Sequence, residues 1–245
     1  MSDAFDVVAE LGVVPVIAIE NARDAIALAD ALLEGGLRVA EITFRTVAAA
    51  ETLAVLKQSR PELLIGAGTV LDLDSLNAAA AAGARFGLAP GYDPEIVDAA
   101  KALGLPFAPG VMTPSDLTAA VKRGIRLAKF FPAGAAGGPR ALEAIAAPFA
   151  HLKVRFVPTG GISLDTMEDW LKMKSVAAVG GTWIARTEDI RERRFAEIAG
   201  VNEANSQAMV EGMITVRVIC HSLAPSSLAA LMKPSSTERA PAKTL

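Results

Sequence analysis

Short runs of apolar residues alternate along the chain with longer segments in which apolar residues recur at helical spacing. The short runs predict strands, and the longer segments predict amphipathic helices. Asp72 and Thr113, which precede two of these helices, are expected to cap them. The predicted strands are Val13–Ile19, Val39–Phe44, Leu63–Val70, Arg85–Pro90, Pro106–Val111, Arg126–Ala133, Val154–Thr159 and Val176–Trp183. The predicted helices that follow them are Asn21–Leu33, Ala48–Gln58, Leu73–Ala82, Pro94–Leu103, Ser115–Arg123, Arg140–Ala147, Asp165–Met173 and Asp189–Ala199.

Eight consecutive strand–helix units have two common architectures, an open doubly wound sheet and a closed (β/α)8 TIM barrel. The number of units favours the barrel, whose usual size is about 250 residues. An additional predicted helix, Asp3–Leu11, is expected to cover the bottom of that barrel. We therefore predict an α/β barrel domain over residues 1–200. Residues 201–245 are predicted to form a C-terminal extension with one helix and a loosely ordered tail.

The composition narrows the class of protein. Of 245 residues, 52% are apolar and 21% are charged, which excludes a wholly disordered chain. A formal net charge of −3 argues against nucleic-acid binding as the main role. The single cysteine, Cys220, rules out an intramolecular disulfide, so a reducing, cytoplasmic location is expected. No apolar run approaches the roughly 20 residues of a membrane-spanning helix, so no membrane partner is predicted.

Lys129 is the most informative residue, because it stands between Ala128 and Phe130 in a predicted apolar strand. Burial disfavours the ammonium form of a lysine, and a second cation such as Arg45 would do the same. A neutral amine can attack a carbonyl group and form a Schiff base. The alternative is a structural lysine whose stem is buried and whose ammonium group pairs with an acid.

Polar side chains also mark the end of the second predicted strand. Glu41, Thr43 and Arg45 share one face there, because side chains alternate along a strand. One interpretation is an internal ion pair between Glu41 and Arg45. The other makes Glu41 a general acid–base group and Arg45 a clamp for a substrate carboxylate, which the planar guanidinium group fits.

Glycine-rich turns follow the last two predicted strands, in the motifs Thr159-Gly160-Gly161 and Gly180-Gly181-Thr182. Glycine lets backbone N–H groups approach an anion closely, and the corresponding loops are the common phosphate site of (β/α)8 barrels. The alternative is that each glycine pair only makes a turn. No cluster of His, Cys and carboxylate residues has the spacing of metal ligands, so no metal is predicted.

Five motifs, taken together and in this order, resemble the 2-keto-3-deoxy-6-phosphogluconate (KDPG) aldolase family, which includes the bifunctional 4-hydroxy-2-oxoglutarate aldolases. They are Val39–Thr46, Gly66–Val70, Lys129–Ala133, Pro158–Ile162 and Gly180–Trp183. The resemblance extends from about residue 5 to residue 200. It implies a homotrimer of barrels and a class I aldolase, a lyase of the Entner–Doudoroff pathway, with neither a metal nor another cofactor.

The resemblance also implies roles for individual residues. Lys129 is similar to the Schiff-base lysine of the family, and Glu41 to its proton-transfer residue. Arg45 and Thr69 resemble the pair that binds the substrate carboxylate. The other matching positions are the pocket residues Pro90 and Phe131 and the phosphate-binding residues Thr159, Gly160, Gly161, Gly180, Gly181 and Thr182.

The reaction implied by the resemblance is cleavage of a phosphorylated 2-keto acid, KDPG, to pyruvate and glyceraldehyde 3-phosphate. Cleavage of 4-hydroxy-2-oxoglutarate to pyruvate and glyoxylate is the second expected activity. The residues leave two alternatives open. One is a phosphate-binding barrel isomerase or synthase in which Lys129 acts only through its charge, and the other is a non-catalytic barrel that binds a phosphorylated metabolite.

Overall fold

The computed structural model describes residues 4–205 of the chain, in which short strands alternate with helices. The strands are β1 (Val13–Ile17), β2 (Val39–Thr43), β3 (Leu64–Gly68), β4 (Gly87–Leu88), β5 (Phe107–Ala108), β6 (Gly110–Val111), β7 (Leu127–Phe130), β8 (Arg155–Pro158) and β9 (Val179–Gly181). The helices are α1 (Ala4–Leu11), α2 (Ala25–Glu34), α3 (Ala49–Ser59), α4 (Leu73–Ala82), α5 (Pro94–Ala102), α6 (Pro114–Lys122), α7 (Gly138–Ala146), α8 (Leu164–Leu171) and α9 (Thr187–Arg191). Ala22–Asp24 and Ala147–Leu152 are 3-10 helices, and residues 195–205 are helical.

The strands pair in parallel throughout the described part of the chain. Six of them form one sheet in the order β5-β4-β3-β2-β1-β9, and three form a second sheet in the order β6-β7-β8. Two isolated bridges, Phe156 with Val176 and Thr159 with Gly180, connect β8 to β9 and the residues before it. The predicted α/β fold with a parallel sheet is therefore confirmed, and its ladder pairings divide it into two sheets.

The fifth predicted strand, Pro106–Val111, is interrupted at Pro109 and forms the two short strands β5 and β6. A proline has no backbone N–H to donate to a ladder, so it breaks the pairing. Its carbonyl group still accepts a hydrogen bond of 2.9 Å from the backbone N–H of Lys129 in β7. The proline therefore fixes the point at which the two sheets separate.

Side-chain oxygens satisfy the first free N–H groups of several helices. Before α4, Asp72 accepts a hydrogen bond of 2.7 Å from the backbone N–H of Ser75. Before α6, Thr113 accepts from the backbone N–H of Asp116 at 3.2 Å, and the Asp116 carboxylate accepts from that of Thr113 at 2.9 Å. Caps of this kind each contribute about 1 kcal/mol and set the residue at which a loop becomes a helix.

Two apolar clusters fill the interior. The larger contains Ala40 and Ile42 of β2 and Ala128 and Phe130 of β7, together with the inner faces of the helices. The smaller contains the alternate side chains of the strands and the buried face of α1, namely Ala4, Val8, Val14, Val39, Leu64, Phe86, Leu88, Ala108, Leu127, Val157, Ala177 and Ala178. Helix α1 therefore covers the amino-terminal ends of the strands, as predicted. No helix among residues 4–205 is long and apolar enough to cross a membrane.

The last predicted helix, Asp189–Ala199, is wrong as a single element. Helix α9 ends at Arg191, and Arg193 has a left-handed φ of 57° that a right-handed helix cannot contain. Helical residues resume at 195 and continue to 205, across the predicted domain boundary at residue 200. That boundary stays a prediction, and the remainder of the predicted extension, residues 206–245, lies outside the described residues.

A buried carboxylate lies at this break in the helix. Asp189 is 6% exposed and accepts hydrogen bonds from the guanidinium groups of Arg186 and Arg194. The hydrogen bond from Arg186 has the largest effect and lowers the pKa of Asp189, and Arg194 acts in the same direction. The turn between the two helices is therefore held by one carboxylate and two arginines.

Candidate active site

The two side chains predicted to carry the chemistry meet in the interior. Glu41 on β2 and Lys129 on β7 are separated by 88 residues, yet Nζ of Lys129 lies 3.1 Å from Oε1 of Glu41. The residues are 0% and 4% exposed, respectively. Val39 and Leu127, two positions earlier on the same strands, belong to the smaller apolar cluster, so both charged groups extend from that face. The fold thus brings the two candidate catalytic side chains into direct contact.

This ion pair bears on both pairings that the sequence left open. Lys129 does pair with an acid, but that acid is Glu41, the other candidate for catalysis. The proposed pair of Glu41 with Arg45 is not formed, because Arg45 is exposed and its Nε donates to Oγ1 of Thr43 at 3.3 Å. The Thr43 hydroxyl donates in turn to the carbonyl of Ile17 at 2.9 Å. A hydrogen-bonded chain therefore runs from β1 through Thr43 to Arg45.

The second carboxylate oxygen of Glu41, Oε2, is buried and accepts no hydrogen bond from any described residue. An unpaired oxygen of this kind is costly, so a polar group or water placed beside it would be stabilised. The aromatic ring of Phe131, which follows β7, lies close to the ion pair: Nζ of Lys129 is 5.7 Å from the centroid of this ring. That distance is within the range of a cation–π contact.

Two glycines of β3, to which sequence reasoning gave no role, make room for these side chains. An ideal Cβ on Gly68 would lie 2.0 Å from Oε1 of Glu41, and one on Gly66 would lie 2.2 Å from the ring of Phe86. The signal in the sequence is the spacing of two, which places both bare positions on one face of a strand and marks a close approach by other atoms.

Thr69 and Pro90 lie in the loops that follow β3 and β4, at the same end of the strands as the ion pair. Thr69 is half-buried and has a left-handed φ of 56°, which is unusual for a β-branched residue. A Cβ on Gly110 would lie 2.1 Å from the carbonyl oxygen of Pro90, so this loop is in close backbone contact with β6. Neither residue forms a hydrogen bond with Lys129 or Glu41.

The residues predicted to bind phosphate gather where β8 and β9 end. Thr159 is buried and forms a β-bridge with Gly180. An ideal Cβ on Gly180 would lie 2.3 Å from Oγ1 of Thr159. A Cβ on Gly181 would collide with the ring of Trp183 at 1.8 Å. Thr182, the next residue, is exposed. The bare backbone of Gly180 therefore lets Thr159 approach β9 closely, whereas that of Gly181 leaves room for the Trp183 ring of its own loop.

The turn after Thr159 has the backbone that its two glycines allow. Gly160 and Gly161 have left-handed φ values of 92° and 75°, which glycine adopts without steric cost. A Cβ on Gly160 would lie 3.3 Å from the ring of Phe131. The glycine turn is therefore a direct neighbour of the Phe131 ring, which lies beside Lys129.

A surface cavity of about 460 Å³ lies elsewhere, between the loop after β1 and α9, and none of the predicted site residues lines it. Its lining mixes three arginines with the acids Glu20 and Asp24. Among residues 4–205, no group of three or more His, Cys, Asp or Glu side chains is placed to hold a metal ion.

The chain is similar to known aldolases in sequence and in structure. The family model of KDPG and KHG aldolases matches residues 5–201. The chain is 43% identical to the 2-dehydro-3-deoxy-phosphogluconate aldolase of Haemophilus influenzae over 189 residues, which are 77% of this chain and 88% of the relative. It is 43% identical to the KHG/KDPG aldolase of Escherichia coli K12 over 186 residues, which are 76% and 86% of the two chains.

Among solved structures, the chain resembles KDPG aldolase from Legionella pneumophila, with a TM-score of 0.79 and 40% identity, over 83% of this chain and 98% of that one. That crystal structure holds pyruvate captured at low pH as a covalent carbinolamine intermediate. These matches confirm the resemblance of the five motifs. The chain belongs to the KDPG and KHG aldolase family.

Proposed function

We propose that this chain is a class I aldolase that cleaves KDPG to pyruvate and glyceraldehyde 3-phosphate through a Schiff base on Lys129. The observation that carries the proposal is the buried contact of 3.1 Å between Lys129 and Glu41. The names of the relatives, and the carbinolamine in the Legionella structure, support the same chemistry. The contact of Lys129 with the acid Glu41 does not prevent Schiff-base formation, because the Glu41 carboxylate is also a base that can accept the ammonium proton of Lys129.

The bond-forming half of the reaction follows from this pair. Transfer of one proton from Lys129 to Glu41 leaves a neutral amine, which attacks the C2 carbonyl carbon of the keto acid. Glu41 then returns this proton to the hydroxyl group of the resulting carbinolamine, which leaves as water, so an iminium ion and a free Glu41 carboxylate remain. The iminium withdraws electrons from C3, which prepares the C3–C4 bond for cleavage.

The bond-breaking half uses Glu41 again, as a base and then as an acid. The carboxylate removes the proton of the C4 hydroxyl group, the C3–C4 bond breaks, and glyceraldehyde 3-phosphate leaves. The remaining enamine takes a proton at C3, and water hydrolyses the iminium to pyruvate and free Lys129. The unpartnered oxygen Oε2 of Glu41 is the atom available for these transfers.

The outer residues would hold the two ends of the substrate. Arg45 and Thr69 are assigned to the carboxylate, and the backbone of Pro90 and the ring of Phe131 to the walls. The phosphate is assigned to the turns after β8 and β9, which comprise Thr159, Gly160, Gly161, Gly180, Gly181 and Thr182. Holding the substrate at both ends fixes C2 beside the amine. The double name of the E. coli relative supports 4-hydroxy-2-oxoglutarate as a second substrate.

We further propose that the two sheets form one closed (β/α)8 barrel. Pro109 alone separates β5 from β6, and two bridges lead from β8 towards β9. The smaller apolar cluster contains side chains from both sheets, as the interior of a barrel would. A homotrimer is assigned on the family relationship, and a mass in solution of three chains tests it. The single cysteine, Cys220, fits the proposed cytoplasmic location.

Steady-state assays of pyruvate release from KDPG and from 4-hydroxy-2-oxoglutarate test the function. Lys129→Met should abolish release from both substrates, and Lys172→Met, which removes an exposed lysine, should leave it unchanged. An isomerase or synthase would convert a phosphorylated substrate without releasing pyruvate, and a non-catalytic barrel would only bind it. Full activity of Lys129→Met would refute the Schiff-base mechanism.

A further inference from the structure

We propose that Gly68 is a positioning residue for Glu41: its bare backbone lets the carboxylate lie over β3 and reach Lys129. The inference rests on the proposed aldolase function, since it concerns how the acid–base group of that reaction is placed. Gly68 itself touches neither the substrate nor the reacting atoms in this scheme.

The register of the sheet places Gly68 in the path of the Glu41 side chain. Glu41 pairs directly with Gly66, and Thr43 pairs with Gly68. Gly68 is therefore the diagonal neighbour of Glu41 on the same face, towards the carboxyl ends of the strands. A long side chain reaches such a diagonal position, which is the direction in which the proposed active site opens.

The steric evidence is specific to the reactive end of Glu41. An ideal Cβ on Gly68 would lie 2.0 Å from Oε1, 2.5 Å from Cγ and 2.6 Å from Cδ of Glu41. Because all three atoms collide, rotation of the carboxylate alone cannot relieve the contact, and the side chain must move. Oε1 is the atom that accepts the hydrogen bond from Lys129, so a methyl group at this position would displace the atom that joins the pair.

Backbone strain does not contribute to this effect. Gly68 is absent from the glycines with a left-handed φ, so alanine can adopt its backbone conformation. Gly66 provides a matched control, since it lies on the same strand, also lacks a left-handed φ, and has a collision of similar severity. Its collision is with the core ring of Phe86 and not with Glu41, so Gly66→Ala reports general damage to β3.

The first test compares Gly68→Ala with Gly66→Ala. Gly68→Ala should lower kcat for KDPG cleavage at least about tenfold, part of the factor of about 10²–10⁴ that a general acid–base group supplies. Its KM should change less than about threefold. Lys129 should still be trapped by pyruvate and borohydride at the end of a long incubation, because the amine and the substrate sites are kept, but more slowly, because the displaced Glu41 accepts the ammonium proton less readily. Gly66→Ala should lower the thermal midpoint and change kcat of the folded enzyme less than about threefold.

The second test is rescue by a shorter acid. In Glu41→Asp the carboxylate is withdrawn by one methylene group from the space that a methyl at position 68 would fill. The inference predicts that Gly68→Ala costs at least about tenfold in kcat in the natural sequence and less than about threefold in the E41D background. A general lesion of the strand would cost the same factor in both backgrounds.

The kcat values of Gly68→Ala in the natural and the E41D backgrounds either support or overturn the positioning role of Gly68. The inference would be overturned if Gly68→Ala kept the wild-type kcat, or if it lowered kcat by the same factor in the natural and the E41D backgrounds. In either case, pyruvate release by the wild type would still support the proposed function. No pyruvate release by the wild type would instead refute the proposed function. If Gly68→Ala does not fold, recovery of folded protein in E41D/G68A supports the inference, and failure to recover it overturns it.

Discussion

Replacing Lys129 with methionine and Glu41 with glutamine, singly and together, measures the strength of the buried pair at the centre of the site. At the observed 3.1 Å, two unit charges attract by about 5 kcal/mol at an effective dielectric constant of about 20. Desolvation opposes this attraction, so the informative quantity is the penalty for leaving one charge buried and unpaired, about 3–5 kcal/mol for either single variant.

The double variant leaves neither charge behind. It should therefore be destabilised by at least about 2 kcal/mol less than the sum of the two single variants. Urea unfolding at one fixed protein concentration, followed by circular dichroism, gives the free energies of unfolding.

The matched control for this cycle is the pair of Lys172 with Glu168, which also has a separation of 3.1 Å but is 54% and 62% exposed. Solvent screens such a pair, so the cycle of Lys172→Met and Glu168→Gln should give no measurable coupling. Additive losses at Lys129 and Glu41, to within about 0.5 kcal/mol, would refute the buried pair.

Three further changes test other parts of the site and fold. Thr43→Val removes the hydroxyl group that accepts a hydrogen bond from Arg45. Because Arg45 is the proposed carboxylate clamp, KM for the keto acid should rise several-fold with little change in kcat. An unchanged KM would show that this hydrogen bond does not position Arg45. Asp189→Asn should lower the free energy of unfolding by about 2 kcal/mol near pH 7. Because Arg186 lowers the pKa of Asp189, that contribution is full above the ordinary aspartate value of about 3.9 and is lost as the pH falls through the lowered pKa. Acid titrations should therefore bring the stabilities of wild type and variant together, and a gap that stays constant to low pH would contradict the assignment. Truncation after residue 205 should leave cleavage activity largely intact, and loss of folded protein would show that the extension is structural.

Much of the fold could be predicted because its signals are local. Apolar runs marked the strands, and Asp72 and Thr113 marked the starts of two helices at the residues where the structure has them. Parallel strands that alternate with helices bring all their carboxyl ends to one side. For this reason Lys129 and Glu41 could be assigned to one site although 88 residues separate them.

The remaining features depend on backbone geometry and on strand register, which the pattern of apolar residues does not contain. Strand β2 ends at Thr43, so the alternation of side chains no longer applies at Arg45, which is exposed and hydrogen-bonded to Thr43 instead of paired with Glu41. The left-handed residue Arg193 divided a segment whose spacing looks continuously helical. The position of Gly68 beside Glu41 depends on the register between β2 and β3. The residue pattern of one strand does not contain this register, so the sequence could not predict the contact.

Covalent trapping tests the Schiff base on Lys129 most directly. The wild-type protein is incubated with pyruvate and sodium borohydride, its intact mass is measured, and the modified peptide is sequenced. One reduced pyruvyl group per chain, attached to Lys129 and missing in Lys129→Met, is the predicted result. Failure to trap pyruvate, or attachment to a different lysine, would contradict the mechanism.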